Sequence, residues 1–266
     1  MLIIGEKINS TRKSIDRAVR TKDREAIVGE ALRQKEAGAH YLDVNCGTLT
    51  AEEEPATLAW LVEIVQEATG LPLCIDSPNA KALAAGLAVH KGEALVNSIS
   101  GESERFQQVL PLVQQYNAGV VALCLDDRGI PADTKAAIAV GGKLVDDLVK
   151  AGIDLGRIYL DPLVRSLATS SDAVLETLIV MRTLGERYPG LHFVSGLSNV
   201  SYGLPERRHL NRAYVVMSVA AGLDAVIMDP LDKGMHAMIC AAEALANRDR
   251  FCLNYIRAYN EGILNI

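Results

Sequence analysis

At 266 residues the chain has room for two small domains or for one large barrel or doubly wound domain, and 49% hydrophobic with 23% charged content suits a globular protein with a sizeable core. Its 27 basic and 33 acidic residues give a formal charge of -6. With aromatics at only 5%, that balance argues against a nucleic-acid surface.

The N-terminus, Met1 to Lys7, goes straight into a strand-like run with no basic region ahead of it, so it does not read as a signal peptide. From there one pattern recurs: a helical stretch closes on Gly, a short apolar run follows, and the run ends on a small polar or acidic residue. After Leu2-Ile3-Ile4-Gly5, the copies are Gly38 leading to Asp43-Val44-Asn45, Gly70 to Cys74-Ile75-Asp76, and Gly92 to Leu95-Val96-Asn97. Gly119 then leads to Leu125-Asp126, Gly152 to Leu160-Asp161, Gly190 to Val194-Ser195, and Gly222 to Met228-Asp229. Gly takes the left-handed position that ends a helix, and the apolar runs are too short for helices but suit doubly buried parallel strands. The segments between them carry helical spacing. Asp23 to Ala37 is expected to set Ile27, Ala31, Leu32 and Gln34–Lys35 so that one face is apolar and the other charged; Glu52-Glu53-Glu54-Pro55 opens the next helix, and another runs from about Thr134 to Val149. The segment after Asn247 is expected to cover one end of the fold.

Eight strands alternating with helices close most readily as a (β/α)8 TIM barrel, and no linker or low-complexity tract divides residues 1–266 into more than one domain. A doubly wound sheet is the alternative, but no G-x-G-x-x-G follows the first strand. No apolar stretch is long enough to span a bilayer. The five cysteines are an odd number without a C-x-x-C pair, which points to buried free thiols in a reducing, cytoplasmic compartment rather than to a zinc or iron–sulfur site.

A barrel of this kind works at the C-terminal ends of its strands. That rim carries Glu6 and Asn9, Asp43 and Asn45, Asp76, Asn97, Asp126 with Asp127, Asp161, Ser195 to Asn199, and Asp229. It offers no histidine for a zinc or iron hydrolase and no Ser/His pair for acyl transfer, and Lys7 beside Glu6 is a poor Schiff-base lysine. A Mg²⁺ site from Asp76, Asp161 and Asp229 stays open as a minor alternative, and no metal is expected overall. Aspartates ahead of proline can also be helix caps, and Asp229-Pro230 is best read so. Asp76, Asn97 and Asp161 read instead as ligands: two carboxylates with one carboxamide suit the edge of a flat heterocycle that carries N–H and NH₂ donors beside a carbonyl, as a pterin or purine does. The loop Ser195-Gly196-Leu197-Ser198-Asn199-Val200-Ser201, followed by Arg207, has the glycines, hydroxyls and amide of a loop that holds a small polar molecule.

Gly5-Glu6-Lys7-Ile8-Asn9, Asp43-Val44-Asn45, Cys74-Ile75-Asp76-Ser77, Val96-Asn97-Ser98, Leu160-Asp161-Pro162 and Gly196-Leu197-Ser198-Asn199-Val200-Ser201, in that order, resemble the methyltetrahydrofolate:corrinoid methyltransferases, a family that includes the folate domain of cobalamin-dependent methionine synthase. The resemblance runs over essentially the whole chain. It implies a pterin-binding barrel, usually a homodimer, that moves a methyl group between N5 of tetrahydrofolate and the cobalt of a corrinoid (cobalamin) carried by a partner protein. It implies further that Asp76, Asn97 and Asp161 hold the pterin edge, that Glu6 supports the folate, and that Gly196, Ser198 and Arg207 lie on the substrate side of the loop after strand seven. Asn199 would be the catalytic amide beside N5. Lys7 stands where many relatives have arginine. No D-x-H-x-x-G cobalamin-binding segment is present, so the corrinoid protein would dock over the open rim, near Glu52–Glu54 and Asp126–Asp127. Dihydropteroate synthase shares such a barrel but expects a glycine-rich G-G-E-S-T-like loop where this chain has Asn45-Cys46-Gly47-Thr48-Leu49. A non-catalytic folate-binding protein, and a phosphosugar barrel with the glycine-rich loop as phosphate cradle, are the remaining alternatives.

Overall fold

The computed structural model describes residues 1–265. Eight parallel strands, β1 (Leu2–Asn9), β2 (Tyr41–Asn45), β3 (Leu73–Asp76), β4 (Leu95–Gly101), β5 (Gly119–Asp126), β6 (Ile158–Asp161), β7 (His192–Gly196) and β8 (Ala225–Met228), pair in sequence order, and β8 pairs back onto β1. This is the closed (β/α)8 barrel expected from the punctuation. Around it run α1 (Lys13–Arg20), α2 (Arg24–Glu36), α3 (Glu54–Thr69), α4 (Ala80–Val89), α5 (Ser103–Gln115), α6 (Thr134–Lys150), α7 (Ala173–Arg187), α8 (Arg207–Ala221) and α9 (Lys233–Leu245), followed by α10 (Leu253–Asn260). The glycine stop is visible at Gly70, where φ is 67° and the amide closes α3 on Gln66 O.

Because each strand is covered on both faces, its residues divide between two apolar layers. Ile4, Cys74, Leu95, Val121, Val194 and Ala225 form a cluster made only of strand residues that fills the barrel. The alternate strand residues, such as Ile3, Val44, Ile75 and Val96, join the helices in the larger outer cluster. Among the described residues no helix is long and apolar enough to cross a membrane.

Three features depart from the sequence reading. Helix α2 does not split into apolar and charged faces: Gln34 is fully buried, Glu30 is buried, and Leu32 is exposed. Gln34 Oε1 accepts the Lys7 amide at 3.1 Å, at the place where the β1–β2 register shifts between Gly5 and Ile8. A helix side chain thus takes the bond that a neighbouring strand would take, and the resulting bulge sets the course of Glu6 and Lys7. Helix α1 has no counterpart in the sequence reading, although Ile15, Ala18 and Val19 stand at helical spacing and bury its inner face. The C-terminal segment does not close an end of the barrel. Helix α10 packs on the outside against α9 with only Ala258 buried, and Phe251, Leu253, Ile256 and Tyr259 are exposed.

Candidate active site

The register of the strands puts one polar wall at their C-terminal ends. Asn45 lies level with Asp76 across β2 and β3, and Asp76 lies level with Asn97 across β3 and β4. Asp43, two residues before Asn45, sits on the same face one layer deeper. Asn45 Nδ2 donates to Asp76 Oδ2 at 2.9 Å, and Asn97 Nδ2 donates to Asp43 Oδ1 at 3.3 Å. The wall is therefore preorganised by its own hydrogen bonds.

Burial sets its protonation. Asp43 is only 2% exposed, and burial together with the neighbouring Asp76 holds its carboxyl well above the usual carboxylate range. Asp76 is pushed up to about 6 by burial, against the lowering effect of the Asn45 amide and of Arg105. Asp161, on β6, is also pushed up to about 6 by burial, partly offset by the Leu163 amide that its Oδ1 accepts at 2.8 Å. Burial also raises Glu6, on β1, and Asp229 adds to the rise while Arg12, Lys7 and Arg207 oppose it.

The capping alternative can be decided residue by residue. Helix α4 is capped by Asn79, whose side chain accepts the Lys81 amide, so Asp76 is free of that duty. Asp161 caps only its own turn, since α7 begins far downstream at Ala173. Asp229 was expected to cap the last barrel helix, but Asp232 does so by accepting the Met235 amide. Asp229 caps the turn at Leu231 and pairs with Lys7 Nζ at 2.9 Å, which occupies that lysine.

Beyond β7, Gly196 leads into a 3-10 turn, Leu197–Ser201. The Asn199 side chain on this turn is exposed and has no hydrogen-bond partner among the described residues. A Cβ on Gly196 would lie 3.3 Å from Asn199 Nδ2, so glycine leaves the amide room beside the rim. Arg207 holds the turn from α8, donating to Ser201 Oγ at 3.0 Å and to the Ser198 carbonyl. Ser201 in turn donates to Asn211 Oδ1 at 2.6 Å. Glu6, Ser198, Asn211 and Asp229 share the lining of a cavity of about 80 Å³ between β1, the turn after β7, and β8.

The structure adds Arg105 on α5. Its guanidinium donates to the Ser77, Pro78 and Ser98 carbonyls at 2.8, 2.6 and 2.9 Å and so ties the chain that leaves β3 to the middle of β4. Nothing local in the sequence marks this arginine, because its partners are backbone carbonyls of β4 and of the loop after β3. Asn45 was visible as a rim amide, and its partnership with Asp76 follows from parallel register. Among the described residues no three His, Cys, Asp or Glu side chains are grouped so as to hold a metal ion.

A closed parallel barrel with buried carboxylates beside half-buried carboxamides at its strand ends is an enzyme scaffold of the (β/α)8 class. Residues 5–229 match the model of the pterin binding enzymes, and the chain belongs to that family. It is 38% identical over 264 residues to a methylcorrinoid:tetrahydrofolate methyltransferase of Eubacterium limosum, covering 98% of this chain and 97% of the relative. It is 30% identical over 241 residues to the methionine synthase of Mycobacterium tuberculosis, covering 86% of this chain and 20% of that longer protein. Among solved structures it superposes on Xanthomonas albilineans dihydropteroate synthase with 4-aminobenzoic acid at a TM-score of 0.71, 21% identity and 92% coverage of both chains, a likeness of fold.

Proposed function

We propose that the rim is a folate site at which Asp76, Asn97 and Asp161 take the pterin edge, Glu6 supports the ring from β1, and Asn199 faces N5. The chain is a methyltransferase that moves a methyl group between N5 of tetrahydrofolate and the cobalt of a corrinoid held by a separate protein. The observation that carries the site assignment is the pairing of a rigid, self-bonded acid–amide wall on β2–β4 with an unengaged amide on the loop after β7.

The chemistry asks for this combination. Removing a methyl group from a tertiary amine leaves charge on nitrogen, so the site must supply a donor to N5 whose bond strengthens as the C–N bond breaks. The acids at the rim serve as acceptors for ring N–H and NH₂ groups. Asn199, bonded to nothing else, can donate to N5 and can relay a proton from water. In the reverse direction the same amide lets N5 give up its proton as it takes the methyl group. Gly196, Ser198 and Arg207 keep the loop in place around it. The nucleophile or methyl carrier is the partner's cobalt, and this chain contributes positioning and electrostatics.

The partner docks over the open rim in this reading, since the substrate must present its methyl group there. The chain acts as a cytoplasmic homodimer. The compartment is read from the cysteine pattern, an odd number without a C-x-x-C pair. Mixing the protein with 5-methyltetrahydrofolate and free Co(I) cobalamin, and following the cobalt spectrum, tests the reaction. Conversion to methylcobalamin at an enzyme-dependent rate is expected, and a spectrum unchanged by the protein would refute the assignment.

A further inference from the structure

The short helix α1 carries a charge pattern opposite to that of the whole molecule. Between Thr11 and Arg24 stand Arg12, Lys13, Arg17, Arg20, Lys22 and Arg24 against only Asp16 and Asp23, in a chain whose formal charge is -6. Both acids are engaged. Asp16 is held by Arg20 at 3.0 Å and by the Thr48 hydroxyl at 2.6 Å, and Asp23 caps α2 through the Ala26 amide. Half of the cations are engaged as well: Arg20 by Asp16, Lys22 by Thr57 and the Trp60 ring, and Arg24 by Glu67. Arg12, Lys13 and Arg17 are exposed, and among the described residues their side chains have no hydrogen-bond or ion-pair partner. Lys13 and Arg17 are one helical turn apart, about 6 Å along the axis.

We infer that this stripe binds the chain of γ-linked carboxylates that extends from the p-aminobenzoyl end of a polyglutamylated folate. The inference rests on the folate reading of the rim. In that reading the pterin edge lies on β3, β4 and β6 and N5 at the loop after β7, so the p-aminobenzoyl arm, borne by the ring atom next to N5, is taken to leave toward the remaining part of the rim. That part includes β8 and β1, and α1 is the element that follows β1. Arg12 lies close enough to the rim for its charge to act on Glu6. A row of free cations leading outward from the rim fits a row of carboxylates leaving the site. The cations on the α8 side are already spent: Arg207 on Ser198 and Ser201, Arg208 on Glu206, and Arg212 on Asp232.

Binding of tetrahydrofolate monoglutamate and triglutamate is compared by calorimetry at low and at moderate salt. The triglutamate should bind on the order of tenfold more tightly at low salt, from two or three surface ion pairs. The gain should shrink as salt screens it. In the variant K13E/R17E the gain should vanish while monoglutamate affinity and the far-UV spectrum stay as in the parent. Equal affinity for both forms in the parent protein would overturn the tail site and leave the folate site standing; failure to bind either form would remove the folate reading itself. If the variant keeps its preference for the triglutamate but transfers methyl more slowly to a protein-bound corrinoid, the stripe serves protein docking and the inference is wrong.

Discussion

In the proposed folate site, single residues at the rim divide into groups that bind and one that acts. Asp76 and Asp161 have ordinary values of 3.8 and are pushed up to about 6 by burial. Ionising them inside the fold is unfavourable, so the stability they contribute is in place below about 4 and is lost as pH rises through about 6. Ring N–H and NH₂ donors reverse that balance by favouring the ionised form. Folate binding near pH 6 should therefore release protons, with a calorimetric heat that depends on the buffer's ionisation enthalpy, and affinity should fall as pH drops from 7.5 to 5. A heat independent of buffer at pH 6 would show that these acids do not take the pterin edge. In its proposed role Asn199 behaves differently, because an amide beside N5 matters only as the C–N bond breaks or forms. Asn199→Ala should slow methyl transfer by about tenfold to a thousandfold while changing folate affinity much less. Single-turnover rates beside equilibrium binding will separate the two, and equal losses would make Asn199 a binding residue. The place of these residues at the rim was legible in the sequence, because each stands near the C-terminal end of a strand or in the loop after one. Arg105, whose partners are backbone carbonyls of β4 and of the loop after β3, was not.

At the scale of elements, the bulge in β1 shows why a pattern of apolar spacing gives the fold more readily than the site. The punctuation of Gly, apolar run and polar residue marks every strand, since doubly buried parallel strands must be short and apolar throughout. It says nothing of where a ladder is interrupted. Gln34 would be counted with the outward face of α2, yet it is fully buried because the Lys7 amide has lost its strand partner. Gly5 is part of the same device: a Cβ there would lie 2.5 Å from Gln34 Oε1. Gln34→Met keeps the bulk and removes the acceptor, leaving a buried N–H unpaired. It should cost about 1–3 kcal/mol of stability in urea unfolding. Since Glu6 and Lys7 ride on the bulge, the variant should also weaken folate binding by a few-fold. A variant with unchanged stability would show that the Lys7 amide finds another partner, and that the glutamine does not shape β1. Helix α1 escaped notice for a related reason: its eight residues form too brief a pattern to stand out from the loop after a first strand.

At the scale of the whole molecule, closure decides where another protein can bind. Every strand has two neighbours, so no free sheet edge is left for association, and a second copy must meet the outer helices or the rim. In the proposed reading the rim is the entrance for folate and the corrinoid protein, and the outer helices are the surface left for a second copy. The largest exposed apolar side chains there are gathered at the C-terminus: Leu245 is 84% exposed, Phe251 78%, Tyr259 66%, Leu253 61% and Ile256 51%. A concentration of this kind is unusual on a monomer and marks an interaction surface. A second, smaller set, Leu175, Ile179 and Met217, lies on α7 and α8. Sedimentation at micromolar concentration should show a dimer for the parent chain and a shift toward monomer for Phe251→Glu combined with Ile256→Glu. Helix α10 packs on α9 rather than on the strands, so the variant should still transfer methyl groups to free Co(I) cobalamin at a rate within a few-fold of the parent. Ile179→Glu should leave the dimer intact; if it alone yields monomers, the two copies meet through α7 and α8 instead. A parent chain that sediments as a monomer throughout would leave the C-terminal face without a second copy to cover it.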